Sequence, residues 1–338
     1  MPAASGQFSV INCRFSGLRR CLLLFAVHEH MIKRYKIKDH QVTPVESETP
    51  DIWVVVNPSE DEKKWLVENF MLDEHNFASA FDPEEPTRLE FEPDHLEMIF
   101  KRPKNYSSKD HFLFKVSSMG LFLFKDKLIL ALSEDINMFS GKYFKHVTGI
   151  REVFLKLLFN SIFHFMEHLK VINMIADELE NKINSSMENK HLLNLFTLEK
   201  SLVYYLNATN ANSYAIDRLK HNAEKIGLTP RSQEFLDDII IENNQCMRQA
   251  EIYSNILAGL MDARASIVSN NLNVMMKNLN AVVIAIAVPS FFAGVGGMSE
   301  LTTITHIADH RIAYPVFVVL MSCIGVAVYW IIKRVEKY

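Results

Sequence analysis

The sequence predicts an α/β cytoplasmic domain followed by a long helical stalk and two C-terminal transmembrane helices. Three observations carry this. Short Val-, Ile-, Leu- and Phe-rich runs fill residues 50–135. Helical periodicity with almost no proline or glycine then takes over. Two long uncharged apolar stretches close the chain, AVVIAIAVPSFFAGVGGM (281–298) and IAYPVFVVLMSCIGVAVYWII (312–332). Each approaches the roughly 20 residues needed to cross a bilayer core.

Composition narrows the function classes. The 338 residues are 49% hydrophobic and 22% charged, which excludes a disordered chain, and a net charge of -4 argues against a nucleic-acid binder. The four cysteines, Cys13, Cys21, Cys246 and Cys323, lack CxxC spacing and point to reduced thiols rather than a disulfide framework or zinc cluster.

Residues 1–30 include GLRRCLLLFAV, the first half of a signal peptide, but HEHM follows where small residues would be cleaved. This segment reads as a mis-start or disordered extension. Residues 31–150 form the α/β domain. IWVVVN, LEMIFKR, FLFKV, LFLF and KLILALS are its strands, with a helix over 60–70. FDPEEPTRLEFEP is a proline-punctuated acidic loop. Residues 151–272 form the helical stalk region. IGLTP (226–230) breaks it, and Pro230 opens a last helix that would extend on the order of 90 Å, from the soluble domain into the membrane.

The first transmembrane helix covers 273–299, an outer loop 300–311, and the second helix with a basic tail 312–338. Lys277 precedes the first span, and Lys333, Arg334 and Lys337 follow the second, so both termini are expected in the cytoplasm. Tyr314, Tyr329 and Trp330 suit the interfaces. On the first span, steps of 3 or 4 select Asn273, Met276, Asn280, Val283, Ala287, Ser290, Gly294 and Gly297, a mostly small or polar face. Leu279, Val282, Ile284, Ile286, Val288 and Phe292 occupy the other faces. Such a stripe serves either close helix packing or a pore lined by several copies. Two spans supply too few walls for a channel, so a pore requires a homo-oligomer.

HFMEH (164–168) matches the HxxEH pattern of inverted zinc peptidases, with Glu167 as the base. It lies in an ordinary amphipathic stretch, and a structural role is the stronger reading. His306 and His310, also four apart, read as solvated. Neither a phosphate loop nor a nucleophile elbow stands out, and no enzymatic activity is expected.

DARASIVSNNLNVMMKNLNAVVIAIAVPSFFAGVGGMSE (262–300) resembles the membrane-entering segment of the CorA family of divalent-cation transporters. Asp262, Ser269, Asn270, Asn273, Met276 and Lys277 match its order and spacing. Pro289 and Ser290 stand for its Pro-Thr, and Gly296, Gly297, Met298 and Ser299 for its aromatic-Gly-Met-Asn signature. Tyr314 and Pro315 match the opening of its second span, and TLEKSLVYYL (197–206) a helix of its soluble domain. The signature asparagine is therefore Ser299 here, and its aromatic is Gly296. The family's Met-Pro-Glu-Leu outer loop is replaced by ELTTITHIADHR, with acids at Glu300 and Asp309.

The resemblance implies a homopentamer in the cell (inner) membrane that conducts Mg2+, with Co2+ or Ni2+ as further cargo. Gly297, Met298 and Ser299 would form the pore mouth. Asn273, Met276, Leu279, Asn280, Val283, Ala287, Ser290 and Gly294 would line it, with Met276, Leu279 and Val283 as an apolar constriction. Lys277, Lys333, Arg334 and Lys337 would form a basic ring. Regulatory Mg2+ would bind between protomers. Ala78 and Ser79 occupy the place of the family's acidic pair, leaving Asp238, Asp262 and Glu84 or Glu85 as its ligands. The alternatives are a transporter of Zn2+ or another cation with the same fold, and a non-conducting membrane-anchored metal sensor or scaffold.

Overall fold

The computed structural model describes residues 32–107, 111–185, 189–296 and 310–335. The expectations for residues 1–30 lie outside them. The chain divides into two compact units, Met1–Ala258 and Gly259–Tyr338.

In the first unit, seven strands form one mixed sheet. They are β1 (Ile32–Lys38), β2 (Gln41–Pro44), β3 (Ile52–Val56), β4 (Arg88–Phe91), β5 (His95–Pro103), β6 (Val116–Phe124) and β7 (Leu128–Leu132). Their order is β2-β1-β3-β7-β6-β5-β4, with β3 and β7 parallel and every other neighbouring pair antiparallel. All nine residues of β5 and all five of β7 are buried, because both faces of the sheet are covered.

One face carries α1 (Glu60–Phe70) and α2 (Glu74–Ser79). Ser59 and Glu62 form a capping box that starts α1, and Met71 in the left-handed region ends it. Asp73 caps α2 by accepting from the Asn76 N–H at 2.8 Å. Val55, Leu66, Leu72, Phe77, Ala80, Ile99, Phe122, Ile129 and Ala131 make the core between these helices and the sheet. Gly120 is what lets the end of α2 come down on β6. A Cβ there would stand 2.4 Å from the Ala80 Cβ and 3.3 Å from the Ala131 Cβ.

Against β5 pack α3 (Ile150–Ser185) and α4 (Asn189–His221), whose buried residues recur every 3 or 4 positions, as in Leu158, Ile162, Phe165, Leu169 and Ile172. The single turn α5 (Ala223–Ile226) ends at Gly227 with φ 72°, and α6 (Pro230–Gly296) begins at the predicted proline. Within this unit α6 buries Leu236, Ile239, Asn243, Cys246 and Ala250.

Two local readings change. FLFKV is a strand only at Val116; Phe114 leaves the sheet to fill the helical layer, its N–H donating to Ser201 Oγ at 3.0 Å. The acidic connection FDPEEPTRLEFEP contains β4, which pairs with β5 from Arg88 opposite Ile99 to Phe91 opposite Leu96. Beyond Ile99 the β5 edge has no strand, and the buried Asn212 of α4 substitutes for one. Its Oδ1 accepts from the Lys101 N–H and its Nδ2 donates to the Lys101 carbonyl, both at 2.9 Å. Leaving either buried backbone group unpaired would cost about 1–3 kcal/mol.

Candidate functional site

The second unit holds the rest of α6 and α7 (His310–Val335), the two stretches long and apolar enough to cross a membrane. Hardly any of either apolar window is buried within the chain. The two helices meet where Gly325 of α7 comes against the Ala285 carbonyl and the Pro289 ring of α6, and the less exposed residues mark a narrow seam around that contact. On α6 it consists of Ala281, which is fully buried, and the half-buried Ala285, Val288 and Pro289. On α7 it consists of Met321, Ile324, Gly325, Val328, Tyr329 and Ile332. Both sets follow the 3-and-4 spacing of one helix face.

The small or polar stripe lies elsewhere. At 3.6 residues per turn, Asn280, Val283, Ala287, Ser290 and Gly294 fall on the side of α6 opposite the seam. Asn273, Asn280, Ala287, Ser290 and Gly294 are exposed, and Met276, Leu279 and Val283 are each 54% exposed. A Cβ at Gly294 would meet no atom within 4 Å, so α7 is not the reason for that glycine. The Ser290 hydroxyl donates to the Ile286 carbonyl at 2.8 Å, which leaves its oxygen able to accept from outside the helix. The residues expected at the pore mouth, Gly297, Met298 and Ser299, the expected outer-loop acids Glu300 and Asp309, and Lys337 lie outside the described residues. Lys277 is exposed on α6; on α7 the Lys333 ammonium lies 5.8 Å from the Tyr329 ring and the Arg334 guanidinium 5.8 Å from Trp330.

The expected regulatory ligands take these places. Glu85 pairs with Arg88 Nη1 at 3.1 Å, and Glu84 is exposed. Beneath their loop the Lys101 ammonium donates to the Pro83 carbonyl at 2.7 Å and to Ser118 Oγ at 2.9 Å. Burial lowers its pKa, while Asp82, Glu84 and Glu85 act in the opposite sense. Asp238 and Asp262 are exposed on α6. Among the described residues no three His, Cys, Asp or Glu side chains could hold one metal ion.

HFMEH is taken up in packing. His168 is buried with Nδ1 2.6 Å from the Tyr205 hydroxyl, and its ring lies edge-on to His164 at 4.3 Å. Glu167 is exposed, away from this contact. Burial holds both imidazoles down to about 4, helped at His164 by the Arg102 guanidinium and at His168 by His164. The unfolded chain, with histidines near 6.5, therefore binds more protons than the folded chain between pH 6.5 and 4. The stability these rings contribute is complete above pH 6.5 and is lost as pH falls toward 4. The loss is on the order of 2 kcal/mol per histidine after allowance for partial solvent contact. Melting temperatures should fall from pH 6.5 to 5, above most carboxylate titrations, and fall less steeply in His164→Phe. Equal slopes would contradict this account.

The sequence did not reveal Asn212, Lys101 or the seam. A lone glycine in an apolar helix was the available signal for Gly325.

A family profile described as CorA-like Mg2+ transporter protein matches residues 52–334. The chain belongs to the CorA-like family. It is thus a membrane protein of a divalent-cation transporter family, whose members are transporters rather than enzymes. The full CorA magnesium transporter of Methanocaldococcus jannaschii is similar in fold, with a TM-score of 0.70 at 18% identity, over 90% of this chain and 96% of that one. Full-length CmaX protein is similar at TM-score 0.66 and 12% identity, over 90% and 97%. The ZntB cytoplasmic domain of Vibrio parahaemolyticus RIMD 2210633 covers 71% of this chain and 98% of its own, at TM-score 0.57 and 14% identity. No curated protein sequence matches the chain. At these identities the CorA-like fold is what the solved structures establish.

Proposed function

We propose that copies of this chain assemble around an axis lined by the small or polar face of α6 and conduct hydrated divalent cations, with Mg2+ as the principal cargo. The observation that carries this reading is the stripe from Asn273 to Gly294, which the chain's own second span leaves uncovered. Close packing against α7 is met on the opposite face, so the stripe's small residues await another partner. Copies of itself supply identical stripes and close a ring.

Mg2+ gives up its first-shell water reluctantly, so selection works through the hydration shell. Ring positions at Ser290, and at Ser299 by family resemblance, offer hydroxyl oxygens that accept from metal-bound water. Serine is shorter than asparagine, so the mouth is wider or its contacts weaker than in relatives with the full signature. Met276, Leu279 and Val283 form an apolar ring that closes by dewetting. Regulatory Mg2+, in this reading, bridges copies through acids such as Asp238, Asp262, Glu84 and Glu85; among the described residues no three His, Cys, Asp or Glu of one chain could hold a metal ion. Both termini face the cytoplasm, in accord with the basic flanks at Lys277 and 333–337.

The test is Mg2+ uptake into proteoliposomes by the native protein and by Ser299→Asn. Native uptake blocked by an inert hexahydrate-mimicking cation complex is the expected result. Uptake by the asparagine variant alone would move the native selectivity to another cation, with Zn2+ and Co2+ measured next. Silence from both in an assembled oligomer would overturn transport in favour of a sensor or scaffold.

A further inference from the structure

Pro289 interrupts the hydrogen-bond ladder of α6 inside its membrane-length stretch. Having no N–H, it gives nothing to the carbonyl of Ala285, four residues earlier. Water cannot take over that role in a bilayer, so a bared carbonyl there needs protein against it. The structure puts α7 in that place. A Cβ built on Gly325 would lie 3.0 Å from the Ala285 oxygen and 3.3 Å from the Pro289 Cγ. Only a residue without a side chain brings its backbone this close, in the range where Cα–H groups face carbonyls at helix crossings. The contact separates Gly325 from Gly259 and Gly294, where an added Cβ would meet nothing within 4 Å.

The position of this contact matters for the opposite side of the helix. A proline opens the turn that precedes it, and the direction in which that turn bends is set by whatever packs there. Ser290 follows Pro289 directly and belongs to the stripe. The bared Ala285 carbonyl faces Gly325, so it is a packing group and not a ligand for cations on the stripe.

We propose that Gly325 is a positioning residue for the ion pathway: by seating the Ala285 carbonyl and the Pro289 ring, it fixes the bend of α6 and hence the place of Ser290 on the far face. This rests on the reading of the stripe as the pore lining. Alanine at 325 would push α6 away by a few tenths of an ångström, and valine by more.

Two readouts test it on the full-length protein in liposomes, with oligomer size checked by light scattering. The first is a spin label on Ser290→Cys in a background where Cys13, Cys21, Cys246 and Cys323 are all alanine, read for its exposure to a water-soluble relaxation agent. The second is the ratio of Mg2+ to Co2+ flux in proteins that retain Ser290. Gly325→Val should change both by about tenfold, the coupling expected of residues in contact. Pro289→Ala, which restores the N–H to the Ala285 carbonyl and removes the ring, should by itself shift both, and in that background Gly325→Val should add little, since both act through the same bend. Gly325→Ala should fall between native and valine. A label and a flux ratio indifferent to Gly325→Val would overturn the proposal, as would a valine effect that Pro289→Ala leaves intact. If the label responds but the native protein passes no divalent cation, the pore reading itself fails, and Gly325 is left with packing alone.

Discussion

Tryptophan in place of Ala287 should abolish divalent-cation flux, bringing it to the level of empty liposomes, while the oligomer still assembles. Ala287 is exposed in the middle of the stripe, one turn from Val283 and from Ser290. In a ring of copies every subunit would place an indole at the same height, and the axis has no room for several such rings. The control is Val319→Trp on α7. Val319 is 62% exposed and outside the seam, so a larger apolar side chain there meets lipid or a loose contact and flux should be close to native. Flux through Ala287→Trp equal to that of Val319→Trp would remove the stripe from the ion pathway. The comparison separates a blocked pore from damage to the membrane helices in general.

The second large effect concerns the α/β unit. Gly120→Val should lower its stability by on the order of 3 kcal/mol, because the new Cβ would stand 2.4 Å from the Ala80 Cβ. Backbone must move, since Ala80 has no flexible end to swing aside. Relief would require α2 to lift from β6, which exposes Phe77 and Leu72 of the same core. Tryptophan fluorescence reports this well: Trp53 and Trp65 both lie edge-on to Phe70, beside that core. A melting midpoint about 10 °C lower is expected. Gly149→Ala, where an added Cβ meets nothing within 4 Å, should leave the midpoint unchanged. Equal midpoints for the two variants would refute the close-approach account of Gly120.

The legible parts of this protein were those encoded in a single run of residues. Helix α1 over Glu60–Phe70 was readable because Ser59 and Glu62 cap it and its pattern is local. The start of α6 at Pro230 was readable because proline is tolerated where a helix begins. FLFKV misled because its apolar residues satisfy a strand pattern equally well when one of them, Phe114, plugs a helical layer distant in sequence. Strand β4 was hidden among prolines and acids, since its pairing with β5 depends on a neighbour and not on its own composition. At the site, the stripe was legible through its spacing, whereas the seam was not: Ala281, Ala285 and Gly325 differ little in chemistry from other small apolar residues.

The sequence by itself determined the existence and length of both apolar spans, the small or polar face of the first and the helical character of the region before them. These follow from hydrophobicity and periodicity, which are properties of consecutive residues. Tertiary structure decided which face of α6 receives α7, that Asn212 completes the edge of β5, and that His168 is packed against Tyr205 with His164 edge-on to its ring. Each of those depends on two segments meeting, and a meeting is settled by which surfaces fit within an ångström, a quantity that no single run of residues contains.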